Sequence, residues 1–250
     1  LLQFTVSPNP GVMYSAGQLV HGIKHPALLK KEINKRYYRR GNTWSFNHRG
    51  IDLFAADWDN LIILDACRYD VFAERHTLPG RLDARVSRAS STEEFLQANF
   101  GGRELHDVVY VTANPQLFRK ELEVSLHAVK NVWKDDGWHD EYRTVLPSTM
   151  TEWAKRTAEE FPRKRLVVHY MQPHYPFLGA TGREYFDLDS LAFWDRVEQG
   201  DIDVSDAIIE RAYEENLDLA IPHVKELLLE LDGRTVVTAD HGQLIGERAG

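Results

Sequence analysis

Asn60-Leu61-Ile62-Ile63-Leu64-Asp65 decides the fold. Four consecutive large apolar side chains leave a strand no polar face, so such a strand must be covered on both sides. The run stops at the carboxylate of Asp65. The same design recurs at residues 108–112, 166–170 and 235–238, the last of them just before Asp240. Residues 91–100, 148–161 and 206–231 lie between these runs and carry helical spacing. Buried strands that alternate with helices predict an α/β fold, a three-layer α/β/α sandwich around a mainly parallel central sheet.

Bulk properties agree with one large domain and narrow the choice of partners. A chain of 250 residues buries a substantial core. Thirty basic against thirty-eight acidic residues give a net charge of −8, which disfavours nucleic acid as a partner. The single cysteine, Cys67, cannot form an internal disulfide and suits a reducing compartment, so a cytoplasmic location is expected. No apolar run reaches the roughly 18–20 residues of a transmembrane segment. The opening residues also lack the layout of a signal peptide, although a chain that starts at Leu1 is expected to have been trimmed.

Residues 1–50 differ from the rest. Pro8, Pro10 and Gly11 break structure, and residues 27–40 read as a helix with Lys30, Lys31, Lys35, Arg36, Arg39 and Arg40. We read this segment as an N-terminal basic helical extension and residues 51–250 as the α/β domain. Its cationic face is either simply solvated or a docking surface for an anionic substrate or membrane.

In open parallel sheets, the loops beyond the carboxyl ends of the strands build the site. Asp65 follows the first buried strand and Asp240-His241 follow the last, so two carboxylates and an imidazole from distant sequence are expected to meet there. Zn²⁺ or Mn²⁺ accepts such mixed oxygen and nitrogen donors, whereas Mg²⁺ or Ca²⁺ leans on the carboxylates. Taken alone, an Asp after a strand is as readily a helix cap or turn former. Pro173, Pro176, Gly179 and Gly182 mark an irregular loop after the third strand, and residues 179–200 are candidates for setting specificity.

Three motifs in order carry a family resemblance. Leu61-Ile62-Ile63-Leu64-Asp65 resembles the opening strand and metal-binding Asp of the alkaline phosphatase and sulfatase superfamily. Val236-Val237-Thr238-Ala239-Asp240-His241-Gly242 is similar to its late Asp-His-Gly motif. His169-Tyr170-Met171-Gln172-Pro173-His174-Tyr175-Pro176-Phe177 resembles the loop that presents a histidine to the ester's charged oxygens. The resemblance starts near Asn60 and implies an alkaline phosphatase-like fold. It also implies a metal-dependent hydrolase or transferase for phosphate or sulfate esters, either small-molecule or glycan and lipid esters.

Site roles follow from the same resemblance. The metal would be held by Asp65, Asp240 and His241 together with a nucleophilic hydroxyl at a helix N-terminus. Residues 85–96 look like the strand-to-helix junction that carries it. Gly102 lies ten positions after Thr92, the interval at which relatives close the helix, so Thr92 is preferred. Ser91 and Ser90 are alternatives, since either could begin a capping box with Glu94 or Glu93. His174 is assigned to an ester oxygen or the leaving group, with His169 assisting, and Asn114 is a donor to ester oxygens or a turn former before Pro115. Cys67 is not followed by the signal that makes formylglycine and reads as a small buried residue, while Arg68 either clamps an anion or pairs with Asp70.

One departure matters. Two-metal members carry a second Asp and His set, but here the chain stops eight residues after Gly242, so either one metal or a C-terminal truncation is expected. A non-catalytic binding protein of the same fold is the alternative function. An ordinary nucleotide-binding domain is disfavoured because no glycine-rich phosphate loop follows Leu64.

Overall fold

The structure, a computed structural model, describes residues 46–186, 193–199, 202 and 204–246. The basic segment at 27–40 and part of 179–200 lie outside the described residues. Phe46–Asp189 and Val204–Ile245 form one compact unit, to which the following description applies.

Its strands and helices run in the order β1 (Asn60–Asp65), α1 (Tyr69–Arg75), α2 (Thr92–Asn99), β2 (Glu104–Thr112), α3 (Gln116–Arg119), β3 (Ser125–Asn131), β4 (Trp138–His139) and β5 (Thr144–Val145). Then come α4 (Pro147–Glu160), β6 (Arg165–Pro173) and α5 (Ala180–Tyr185). Helix α6 (Phe193–Gln199) belongs to the second unit, and α7 (Asp206–Glu230) and β7 (Thr235–Ala239) complete the first. Strands β3-β2-β6-β1-β7 form one sheet in that order, and every pairing in it is parallel.

Strand β1 lies between β6 and β7, and Leu61, Ile62, Ile63 and Leu64 are all buried. Successive strand side chains point to opposite faces, so these four supply both interfaces of the sheet. Leu61 and Ile63 join Val108, Tyr110 and Val167 against Phe95 and Leu96 of α2 and Phe100 beyond it. Helices α4 and α7 pack on β6 and on each other. Tyr170 Oη of β6 lies 2.7 Å from Thr151 Oγ1 of α4. The expected three-layer α/β/α sandwich is thus the observed architecture.

Some local structure differs from the sequence expectation. Residues 85–91, immediately before Thr92, form no strand: Ile51 and Asn47 donate backbone bonds to the carbonyls of Val86 and Arg88, but no ladder develops. Residues 46–50 therefore pack with the α/β unit; a β-carbon at Gly50 would lie 2.5 Å from Arg88 N. The loop rich in Pro and Gly contains α5. Gly102 has φ +68°, a left-handed conformation that disfavours a β-carbon, and follows α2 as the sequence suggested. Among the described residues, no helix is long and apolar enough to cross a membrane.

Candidate metal centre and hydroxyl nucleophile

Parallel register assembles the site. Leu64 pairs with Ala239, so the next residues along each strand, Asp65 and Asp240, emerge side by side. On the other flank of β1, Ile63 pairs with His169, and His169 in turn pairs with Thr112 of β2. Asn114 follows two residues later, its chain held by the Ala113 N–H donating to the His169 carbonyl at 2.9 Å. Four neighbouring strands thus deliver polar side chains to one edge.

Asp240 is fully buried and held in one orientation. Its Oδ1 accepts from the backbone N–H groups of Ala66 and His241, both at 2.8 Å. Its Oδ2 accepts from the Thr92 hydroxyl at 2.8 Å. Thr92 Oγ1 also lies 3.4 Å from Asp65 Oδ1 and 3.4 Å from His241 Nε2. Of the three candidate hydroxyls, Thr92 is the one that meets the acidic pair. Ser91 is the N-cap of α2 and accepts from Glu94 N, whereas Ser90 Oγ donates to the Glu94 carboxylate at 2.9 Å.

His241 Nδ1 lies 2.9 Å from the Gly242 carbonyl. A carbonyl can only accept, so Nδ1 carries a proton, and whenever the ring is neutral its Nε2 lone pair points inward. That Nε2 lies 3.5 Å from Asp240 Oδ2 and 3.8 Å from Asp65 Oδ1. Asn114 Nδ2 donates to Asp65 Oδ2 at 2.5 Å, and Asn114 Oδ1 accepts from Gln116 N at 2.9 Å. His169 is completely buried, with Nδ1 2.6 Å from Tyr110 Oη and Nε2 3.8 and 3.9 Å from Asp65 Oδ2 and Asp240 Oδ2. Its Nε2 has no hydrogen-bond partner.

His174 stands slightly apart. Its backbone N–H donates to the Asp65 carbonyl at 3.2 Å, and its Nδ1 lies 2.7 Å from the Tyr175 carbonyl. Cys67 is buried, and burial followed by the Asp240 charge raises its thiol pKa. Arg68 makes an ion pair with Asp70.

Electrostatics call for a positive charge here. Burial, then the Asp65 carboxylate, raises the pKa of Asp240. Burial lowers His169 to about 4, whereas at His241 the opposing effect of burial is outweighed by Asp240 and Asp65, and its pKa is raised. Two buried carboxylates are costly unless compensated by a cation or by hydrogen bonds. Donor atoms of Asp65, Asp240 and His241 all lie within 4.8 Å of one another, so this group can hold a metal ion.

The supporting residues escaped the sequence reading. Ala66 has φ +59°, a left-handed conformation that costs a non-glycine residue about 1–2 kcal/mol. It places the Ala66 N–H on Asp240. Tyr213 of α7 holds the same turn: its hydroxyl donates to the Ala66 carbonyl at 2.8 Å and accepts from Arg68 N at 2.9 Å. Tyr213→Phe leaves both backbone groups without this partner and is expected to destabilise the fold by about 1–3 kcal/mol. Urea denaturation measures this, and an unchanged midpoint would mean that the turn holds itself. Ser87 Oγ donates to the Asp240 carbonyl at 2.6 Å and fixes the loop from the other side.

No protein-family model, curated protein or solved structure matches this chain.

Proposed function

We propose that this protein is a metal-dependent hydrolase or transferase for phosphate or sulfate esters, with Thr92 as its nucleophile. The observation that carries this reading is a buried hydroxyl at the first position of α2 that donates to Asp240 at 2.8 Å and lies within 3.4 Å of Asp65 and His241. The resemblance of the three sequence motifs to the alkaline phosphatase and sulfatase superfamily supports it.

Asp65, Asp240, His241 and Thr92 would hold the ion. A bound divalent ion supplies Lewis acidity, which lowers the hydroxyl pKa and offsets charge on the ester. An imidazole among carboxylates favours Zn²⁺ or Mn²⁺ over Mg²⁺ or Ca²⁺.

The remaining steps use the chain's own groups. The Thr92 proton has an acceptor in Asp240 Oδ2 as Oγ1 forms its bond to phosphorus or sulfur and the leaving oxygen departs with its electron pair. Asn114 uses one of its two N–H donors on Asp65 and offers the other to an ester oxygen. His174, whose Nδ1 lies 2.7 Å from the Tyr175 carbonyl, serves an ester oxygen or the leaving group. Water completes hydrolysis of the Thr92 ester, and a second hydroxyl in its place completes transfer to a small molecule, glycan or lipid. The lone, buried Cys67 suits a cytoplasmic enzyme.

The test is to load metal-free protein with Zn²⁺, Mn²⁺, Mg²⁺ and Ca²⁺ in turn and assay it on nitrophenyl phosphate, bis(nitrophenyl) phosphate and nitrophenyl sulfate. Metal-dependent nitrophenol release from at least one ester is expected. Tight metal binding without turnover on any ester would instead favour a binding module.

A further inference from the structure

We propose that His169 is a further protein ligand of the cation, beside Asp65, Asp240, His241 and Thr92, and that Tyr110 aims it. This inference rests on the metal-site reading above and deepens it, because the sequence motifs gave His169 only a supporting role near the substrate.

One buried nitrogen beside the carboxylates is unsatisfied. His169 Nε2 is buried without a hydrogen-bond partner, and a buried polar atom in that state is destabilising. Its nearest charged oxygens, Asp65 Oδ2 at 3.8 Å and Asp240 Oδ2 at 3.9 Å, are too far for a hydrogen bond. Each is, however, closer than twice a metal–donor bond of about 2.0–2.2 Å, so an ion held by either oxygen would also be within reach of this nitrogen. The same Asp240 Oδ2 lies 3.5 Å from His241 Nε2, so both imidazoles converge on a single carboxylate oxygen.

Tyr110 explains how the ring is aimed. Its hydroxyl is 2.6 Å from His169 Nδ1, on the sheet face where Tyr110 is fully buried. With Nδ1–H donated to that oxygen, Nε2 presents its lone pair to the carboxylates. Metal-bound imidazoles regularly rely on such an outer hydrogen bond to fix tautomer and orientation. Backbone pairing also limits the freedom of His169: β6 lies between β1 and β2, and the His169 carbonyl accepts from Ala113 N.

X-ray absorption on the intact zinc-loaded protein counts imidazoles directly, and two per zinc are expected. Zinc titration calorimetry should then show about 10-fold weaker binding for Tyr110→Phe, and a larger loss for His169→Gln together with one imidazole fewer. One imidazole per zinc in the unaltered protein overturns the role of His169 while leaving the Asp65, Asp240 and His241 site standing. Failure to bind zinc, or zinc binding that is indifferent to Asp240→Ala, overturns the site itself and this inference with it. The measurement on unaltered protein decides the question even if His169→Gln does not fold.

Discussion

Thr92→Ala is expected to reduce metal-dependent ester cleavage by at least about 10³-fold, the scale on which loss of a nucleophile is felt. The fold should survive. Thr92 is the first residue of α2, but the cap belongs to Ser91, whose side chain accepts from Glu94 N. Removing the Thr92 hydroxyl deletes its bond to Asp240 without opening the helix end. Thr92→Ser should restore most of the rate, because it returns an oxygen to the same position. Steady-state rates on nitrophenyl esters, beside thermal melts of each variant, provide the test. Undiminished turnover in Thr92→Ala would remove this residue from the chemistry. Ser91 and Ser90 are engaged with Glu94, so neither is placed to replace it.

Asn216→Leu is expected to have the largest effect on stability, about 3 kcal/mol, because several buried backbone groups lose their partner at once. Asn216 is completely buried on α7. Its Oδ1 accepts from Leu178 N at 2.6 Å, and its Nδ2 faces the carbonyls of Pro176 at 2.8 Å, His174 at 3.1 Å and Pro173 at 3.3 Å. One side chain thereby holds the loop that presents His174. Leucine fills a similar volume but supplies none of these bonds. Chemical denaturation reads the loss, and ester assays on the folded fraction should show a rate defect as well. An unfolding free energy within about 0.5 kcal/mol of the unaltered protein would show that the loop is held by its own packing.

The central strands were legible because burial on both faces forces uninterrupted apolar runs, as in Leu61-Ile62-Ile63-Leu64. Strand β3 was not, since Ser125–Asn131 lies at the sheet edge and its side chains alternate between half-buried and exposed. The polar first half of β2 was missed for a related reason: Glu104, His106 and Asp107 are exposed, and the pairing with β3 shifts between Leu105 and Val109. In the site, Asp65, Asp240 and His241 were readable because each directly follows or ends a recognisable strand.

Tyr110, Ala66 and Tyr213 were not readable, because their roles depend on cross-strand register and on a backbone conformation that alanine rarely adopts. Asn216 did leave a signal. It sits on the apolar stripe of α7 among Tyr213, Leu217 and Ala220, where a polar side chain must find partners.

The placement of β1 between β6 and β7 has a consequence for the making of the protein. Synthesis delivers β1 early, yet both of its neighbours come late; the Ala66–Asp240 contact alone spans 174 positions. At about 5–20 residues per second, roughly 10–35 s pass on the ribosome before that contact can close. One edge of this apolar strand stays unpaired until β6 is made, and the other until β7 is. Until then helix α2, made soon after β1, can cover the face of the strand that carries Leu61 and Ile63.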